Sequence, residues 1–180
     1  MYRSGADTAP ETAVCALPGG RSPEKLLLVR AGRVADLPMI NDLHRRASHG
    51  SRLARYHSPR EALRPAEWRL LTDPARGWTG VLVPQSAPGR LIGFGSVLRT
   101  ATPGIVEAST FLVDEWQGLG VGEAFARCQL ERARAMDARA VEGWIRPDNI
   151  KARRLAARLG LALTPATEGV LRVTMTIGDA

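Results

Sequence analysis

Phe111-Leu112-Val113-Asp114-Glu115-Trp116-Gln117-Gly118-Leu119-Gly120-Val121-Gly122 runs out of an apolar strand, through a glycine-rich turn and into a helix. The helix shows in its period: Val121, Ala124, Phe125 and Cys128 recur at i, i+3, i+4 and i+7, with Glu123 and Arg127 paired on the other side. A helix start leaves backbone N–H groups unsatisfied at the positive end of the dipole, and glycines let a phosphate come close to that backbone. The turn therefore has the physics of a diphosphate cradle, which is also the chemistry of an ordinary strand-to-helix turn. No Gly-Lys-Ser/Thr ends it, so it is not a Walker A loop. Glu123 stands where a dinucleotide fingerprint needs its third glycine.

Before this turn, three strands are expected at Trp78 to Val83, Leu91 to Leu98 and Ile105 to Val113, separated by short Pro-Gly turns that favour antiparallel pairing. Upstream, Leu26 to Arg30 reads as a buried strand. Asp36 then reads as an N-cap, followed by a helix with Leu37, Ile40, Leu43 and Ala47 on one face. His49 to Pro65 is polar and irregular, and a short helix follows from Pro65 to Leu71. Downstream come a strand at Ala140 to Ile145, a helix opened by Asp148 or Asn149 and stopped at Gly160, and a strand at Gly169 to Thr176. Residues 1–24 have no period and read as a flexible tail, leaving 25–180 as a single α/β domain.

The 180 residues suffice for one core without disulfide or metal support. Cys15 and Cys128 lie far apart and the three histidines form no ligand spacing, which excludes a disulfide scaffold and a zinc finger. With no long apolar run and no signal-like amino terminus, neither a membrane partner nor secretion is expected, and the reading is cytoplasmic. The net charge of +7 fits an anionic partner. An arginine-for-lysine bias with abundant Ala and Gly is equally what a GC-rich genome encodes. The 5% aromatic content, with no basic run between aromatics, argues against a nucleic-acid partner.

Gln117-x-x-Gly120-x-Gly122 resembles the Q/R-x-x-G-x-G/A signature of the Gcn5-related N-acetyltransferase (GNAT) superfamily. Asn149-x-x-Ala152-x-x-Leu155-x-x-x-Leu159-Gly160-Leu161 is similar to that family's second motif, and with the order of elements the resemblance spans about residues 26–177. It implies a mixed, mostly antiparallel sheet that splays between strands four (105–113) and five (140–145), with the cosubstrate acetyl-CoA in the gap. Carried over, Leu112 and Val113 would offer backbone groups to the pantetheine amides. Gln117, Gly118, Leu119, Gly120, Val121 and Gly122 would hold the pyrophosphate. Asn149 would face the pantetheine arm, and Arg153 would reach the adenosine phosphates or simply be a solvated helix face.

Acetyl transfer to an amine needs a neutral nucleophile, so a carboxylate or water chain must remove an ammonium proton whose pKa is near 10. Glu107 shares a strand face with Ser109 and Phe111, and Glu107-Ala-Ser-Thr-Phe-Leu-Val-Asp-Glu-Trp-Gln-Gly resembles the strand of the bacterial Pat-like protein lysine acetyltransferases, whose matching glutamate is the base. A glutamate on a solvated edge is the alternative. Where many members carry a tyrosine as general acid, this chain has Ala156, with Tyr56 and His57 the nearest substitutes. The acceptor expected is an amine, either a protein lysine or a small molecule, and the chain would act as monomer or homodimer. A non-catalytic acyl-CoA sensor is the competing class. His44 and Cys128 read as structural, and Trp68, Trp78 and Trp144 as core or pocket wall.

Overall fold

Alternating apolar residues build one sheet, and the places where its strands part define the site. The computed structural model describes residues 12–16, 26–58, 60–166 and 169–177. Eight strands run β1 (Thr12–Ala16), β2 (Leu26–Ala31), β3 (Gly77–Pro84), β4 (Gly93–Arg99), β5 (Ile105–Leu112), β6 (Ala140–Ile145), β7 (Ala162–Pro165) and β8 (Leu171–Thr176), ordered β1-β2-β3-β4-β5-β6-β8-β7 across the sheet. Among the described residues only β5 and β6 pair in parallel, because the crossover between them carries helix α4 (Val121–Ala135). The remaining helices are α1 (Leu37–Arg46), α2 (His49–Tyr56), α3 (Pro65–Leu71) and α5 (Ile150–Arg158).

The two faces are covered differently. Phe94 and Phe111, paired across β4 and β5, pack edge to face with ring centroids 5.9 Å apart. They meet His44 of α1 and Trp68 of α3, both fully buried. The opposite face carries Val97 and Val106, which pack with Ala133 of α4. Residues 107, 109 and 111 thus face α1 and α2, while 106, 108, 110 and 112 face α4, as strand alternation requires.

Three sequence expectations need correction. Thr12–Ala16, within the expected tail, forms an edge strand in antiparallel register with β2, from Thr12 opposite Arg30 to Ala16 opposite Leu26; the rest of residues 1–24 lies outside the described residues. The segment from His49 read as irregular contains α2, whose N-cap Ser48 accepts the Ser51 N–H through its side chain at 3.1 Å. Asp36 makes no side-chain bond into α1: its carboxylate takes both Arg30 Nη1 (2.7 Å) and Nη2 (2.9 Å), with the Arg33 N–H at 2.8 Å. That bidentate pair keeps the buried Asp36 ionised, and its pKa lies below the usual value. Burial alone would raise it, but the hydrogen bonds from Arg30 and Arg33 outweigh that effect.

Candidate active site

β5 pairs with β4 along its length and β6 pairs with β8 along its length, but β5 and β6 share only the rungs 105–140, 106–141 and 107–142. Beyond Glu107 the strands diverge, and a cleft of about 410 Å³ opens between them. Glu107, Ser109 and Thr110 line it from β5, Gly143 and Trp144 from β6, and Asn149 and Ala156 from the α5 side.

The backbone at the far end of the gap is left open by its own geometry. Val113 N–H donates to Ile92 O at 3.0 Å, so alternation turns the backbone groups of Thr110 and Leu112 away from β4, toward the gap. Leu112 O accepts the Gln117 Nε2 amide at 2.9 Å, which leaves the Leu112 N–H facing the opening. At Val113 the N–H is taken by Ile92 O, so only its carbonyl, which already accepts the Trp116 N–H at 3.1 Å, has a lone pair left for a ligand.

The turn itself is shaped by Gly118 at φ +77° and Gly120 at φ +82°, a left-handed conformation that disfavours any Cβ. Glu123 and Ala124 N–H both return to Gly120 O, while the N–H groups of residues 118–122 have no partner among the described residues. A row of unsatisfied donors at the start of a fifteen-residue helix suits an anion, and no Cβ stands at Gly118, Gly120 or Gly122 to block it. Gln117 does not point into this cradle. Its Nε2 donates to Ser51 Oγ and Leu112 O, both at 2.9 Å, and its Oε1 accepts from Lys151 Nζ at 2.9 Å. Gln117 therefore ties the turn to α2 and α5. Asp114 reinforces the tie to α2 by accepting Ser48 N–H, Ser48 Oγ and Ser51 Oγ, each at 2.8 Å.

Asn149 caps α5, its Oδ1 accepting Ala152 N–H at 3.1 Å, and its Nδ2 remains open on the cleft. Arg153 is exposed and donates to Pro147 O at 3.2 Å. Ala156 is buried in the cleft wall and Trp144 is an exposed part of it.

On the α2 side, His44 Nδ1–H must donate to Ile40 O at 2.7 Å because a carbonyl only accepts. Nε2 is then the acceptor for the Tyr56 hydroxyl at 2.6 Å. Burial, assisted by Arg55, Arg52 and Arg60, lowers the His44 pKa and keeps the ring neutral. Burial pushes Tyr56 up to about 12 despite the nearby Arg55 and Arg60. With its O–H held by His44 and so high a pKa, Tyr56 is a poor proton donor. His57 is exposed at the cleft mouth with φ 55°, its pKa lowered by partial burial and by Arg146 and Arg55.

Sequence reasoning missed three participants. Glu142 sits opposite Glu107, and its Oε2 is held by Arg172. Lys151, one of the two lysines, reaches back to Gln117. Arg55 lies over the Tyr56 ring at 4.9 Å and donates Nη2 to Ser109 Oγ at 2.8 Å. The sequence signal for Arg55 is its place in Ser51-Arg-Leu-Ala-Arg-Tyr-His57, a stretch that resembles the acceptor-side helices of the Pat-like subgroup.

Comparison with solved structures finds this architecture repeatedly. The GNAT domain of S. lividans PAT superposes with TM-score 0.80 at 20% identity, over 92% of this chain and 97% of that one. The ribosomal-protein-S5-alanine acetyltransferase from Vibrio fischeri gives 0.67 at 18%, over 83% and 92%. The yncA protein of Salmonella typhimurium, solved with its cofactor acetyl-CoA, gives 0.66 at 19%, over 86% and 95%. Among curated proteins no sequence matches. The sequence profile of the acetyltransferase (GNAT) family matches residues 38–161, across the turn, the cleft and α5, and the chain belongs to that family.

Proposed function

We propose that the protein is a cytoplasmic N-acetyltransferase that moves the acetyl group of acetyl-CoA onto an amine, a protein lysine in the first instance and a small amino compound as the alternative. The observation that carries this reading is the parting of β5 and β6 just beyond Glu107, with a row of unpartnered N–H groups from 118 to 122 at the far end. Those N–H groups suit the coenzyme's pyrophosphate. The Leu112 N–H and the Asn149 amide suit the pantetheine arm, and Arg153 the adenosine phosphates. Among the described residues no helix is long and apolar enough to cross a membrane.

Glu107 is exposed in the cleft and acts as general base, taking the ammonium proton through water. The freed amine nitrogen bonds to the acetyl carbon as the carbon–sulfur bond breaks, and the second proton that this nitrogen sheds passes to water or to the departed thiolate. A thiol of pKa about 8.5 can depart as thiolate, so this step needs no acid. Two features support that economy: Ala156 replaces the usual tyrosine, and the Tyr56 proton is committed to His44.

Ala156 also favours a second reading, an acyl-CoA-binding module without turnover. Following thiol release from acetyl-CoA with lysine peptides and small amines separates the two. Release that depends on an acceptor supports the enzyme. Coenzyme binding by calorimetry without release for any amine supports the module, and neither binding nor release removes both.

A further inference from the structure

A second cavity, of about 260 Å³, adjoins the cleft on the α1–α3 face of the sheet. Three arginines (Arg55, Arg60 and Arg76) and one carboxylate (Glu67) line it, with aliphatic side chains such as Leu63 and Leu98 between them. Leu98 is the register partner of Glu107 on β4, and paired residues point to the same face, so the cavity begins one strand away from the base. Arg55 and Tyr56 line both cavities.

The charges of this cavity do not balance. Arg60 is paired with Glu67 at 2.8 Å, and Glu67, drawn down to about 2 by Arg64 and Arg60, stays ionised. Among the described residues Arg55 has no carboxylate within ion-pair distance, and the negative charge that acts on it from further off is that of Glu107. Arg55 makes one hydrogen bond, to Ser109 Oγ, and its Nε is buried without any partner. Arg76 is exposed and its side chain has no partner among the described residues. A half-buried guanidinium with a buried, unpartnered Nε and most of its other donors unused is stabilised when an anion completes it. The other arginines with unpartnered buried nitrogens are served elsewhere: Arg46 by Asp42 and Glu115, Arg52 by the carbonyls of His44 and Ala47.

We propose that this cavity is the specificity pocket for the acceptor, and that it takes a carboxylate on a short aliphatic stem close to the reacting amine. Arg55 is the anchor, Arg76 closes the rim, and the leucines hold the stem. An acceptor so placed sets its ammonium toward Glu107 and its carboxylate toward Arg55, opposite charges on opposite groups. The inference rests on the acetyltransferase reading and names the chemistry of its acceptor. The carboxylate can belong to a free amino acid or to an acidic residue beside a lysine in a peptide.

The test compares acceptors that share an amine and differ in one charge: an amino acid against its carboxamide, and a Lys-Glu peptide against Lys-Gln. In the full chain, kcat/KM is expected to favour the carboxylate member of at least one pair by about tenfold or more, and the pair that shows it identifies the source. The ratio should fall toward one in Arg55→Gln and in Arg76→Ala, the second being an exposed change that spares the fold, and should shrink as salt is raised. Calorimetry of the same compounds with the coenzyme A complex gives a reading without turnover. No preference for the carboxylate in rate or in binding overturns the pocket, as does a preference untouched by both substitutions. Glu107→Gln separates this result from the base assignment: it lowers the rate for both members of a pair and leaves their ratio in place.

Discussion

Glu107 and Glu142 form the last paired rung between β5 and β6, and only Glu142 carries a counter-ion, Arg172, with Nη2 at 2.6 Å and Nε at 3.0 Å from Oε2. Glu107 has no ion pair among the described residues and stands where the strands part. Of two neighbouring carboxylates, one is held in a structural pair and the other is unpaired and exposed in the cleft, as the proposed base must be. Glu142→Gln should lower the rate of thiol release less than tenfold and cost about 1 kcal/mol or less, because the Arg172 head is 41% exposed. Chemical denaturation and the release assay check both.

Gly120→Val forces a β-branched residue to φ +82° and places a side chain beside the unpartnered N–H groups. A stability loss of about 1–2 kcal/mol is expected, with coenzyme A no longer raising the melting temperature. Calorimetry on the folded variant showing full coenzyme affinity would remove the turn from the binding site.

The neutral His44 ring predicts a pH dependence. Its pKa is lowered in the folded protein from the ordinary value of 6.5, so the unfolded chain binds the proton more readily. The stabilisation is present above about pH 6.5 and drains away as pH falls through that value toward the lowered folded pKa. The melting temperature should drop between pH 7 and 5, and less steeply in His44→Gln. Tyr56→Phe leaves the His44 Nε2 without its donor and should cost about 1–3 kcal/mol at neutral pH.

Asp36→Ala strands the Arg30 guanidinium, which is 24% exposed against 5% for its partner. A loss of about 2–3 kcal/mol is expected, somewhat below the range for fully buried pairs. The melting temperature should fall by about 5–10 °C, measured by calorimetry.

Most of the strands and helices were legible because their apolar period is local: β6 at Ala140–Ile145 read directly from the sequence, and the start of α5 was narrowed to Asp148 or Asn149, of which the structure makes Asn149 the cap. β1 was not, since a short edge strand needs no alternation of its own when β2 supplies the register. α2 was hidden by Gly50 and by arginines whose packing is tertiary, with Arg55 stacked on Tyr56 and bonded to Ser109, 54 positions away. The cradle was legible as a turn with the right glycines. The use of Gln117 as a brace to Ser51 and Lys151 was not, because those contacts span 66 and 34 positions. Likewise Val113 looked free in the strand until its pairing with Ile92 was in view.

The pH profile of thiol release in Glu107→Gln tests the central claim most directly. At saturating acetyl-CoA and acceptor, the rate near neutral pH should fall by about 10² to 10⁴-fold with coenzyme affinity unchanged. The deficit should narrow as pH rises toward about 10, where the amine arrives neutral and needs no base. A variant that matches the wild type across the whole profile would contradict the account and remove Glu107 from the reaction.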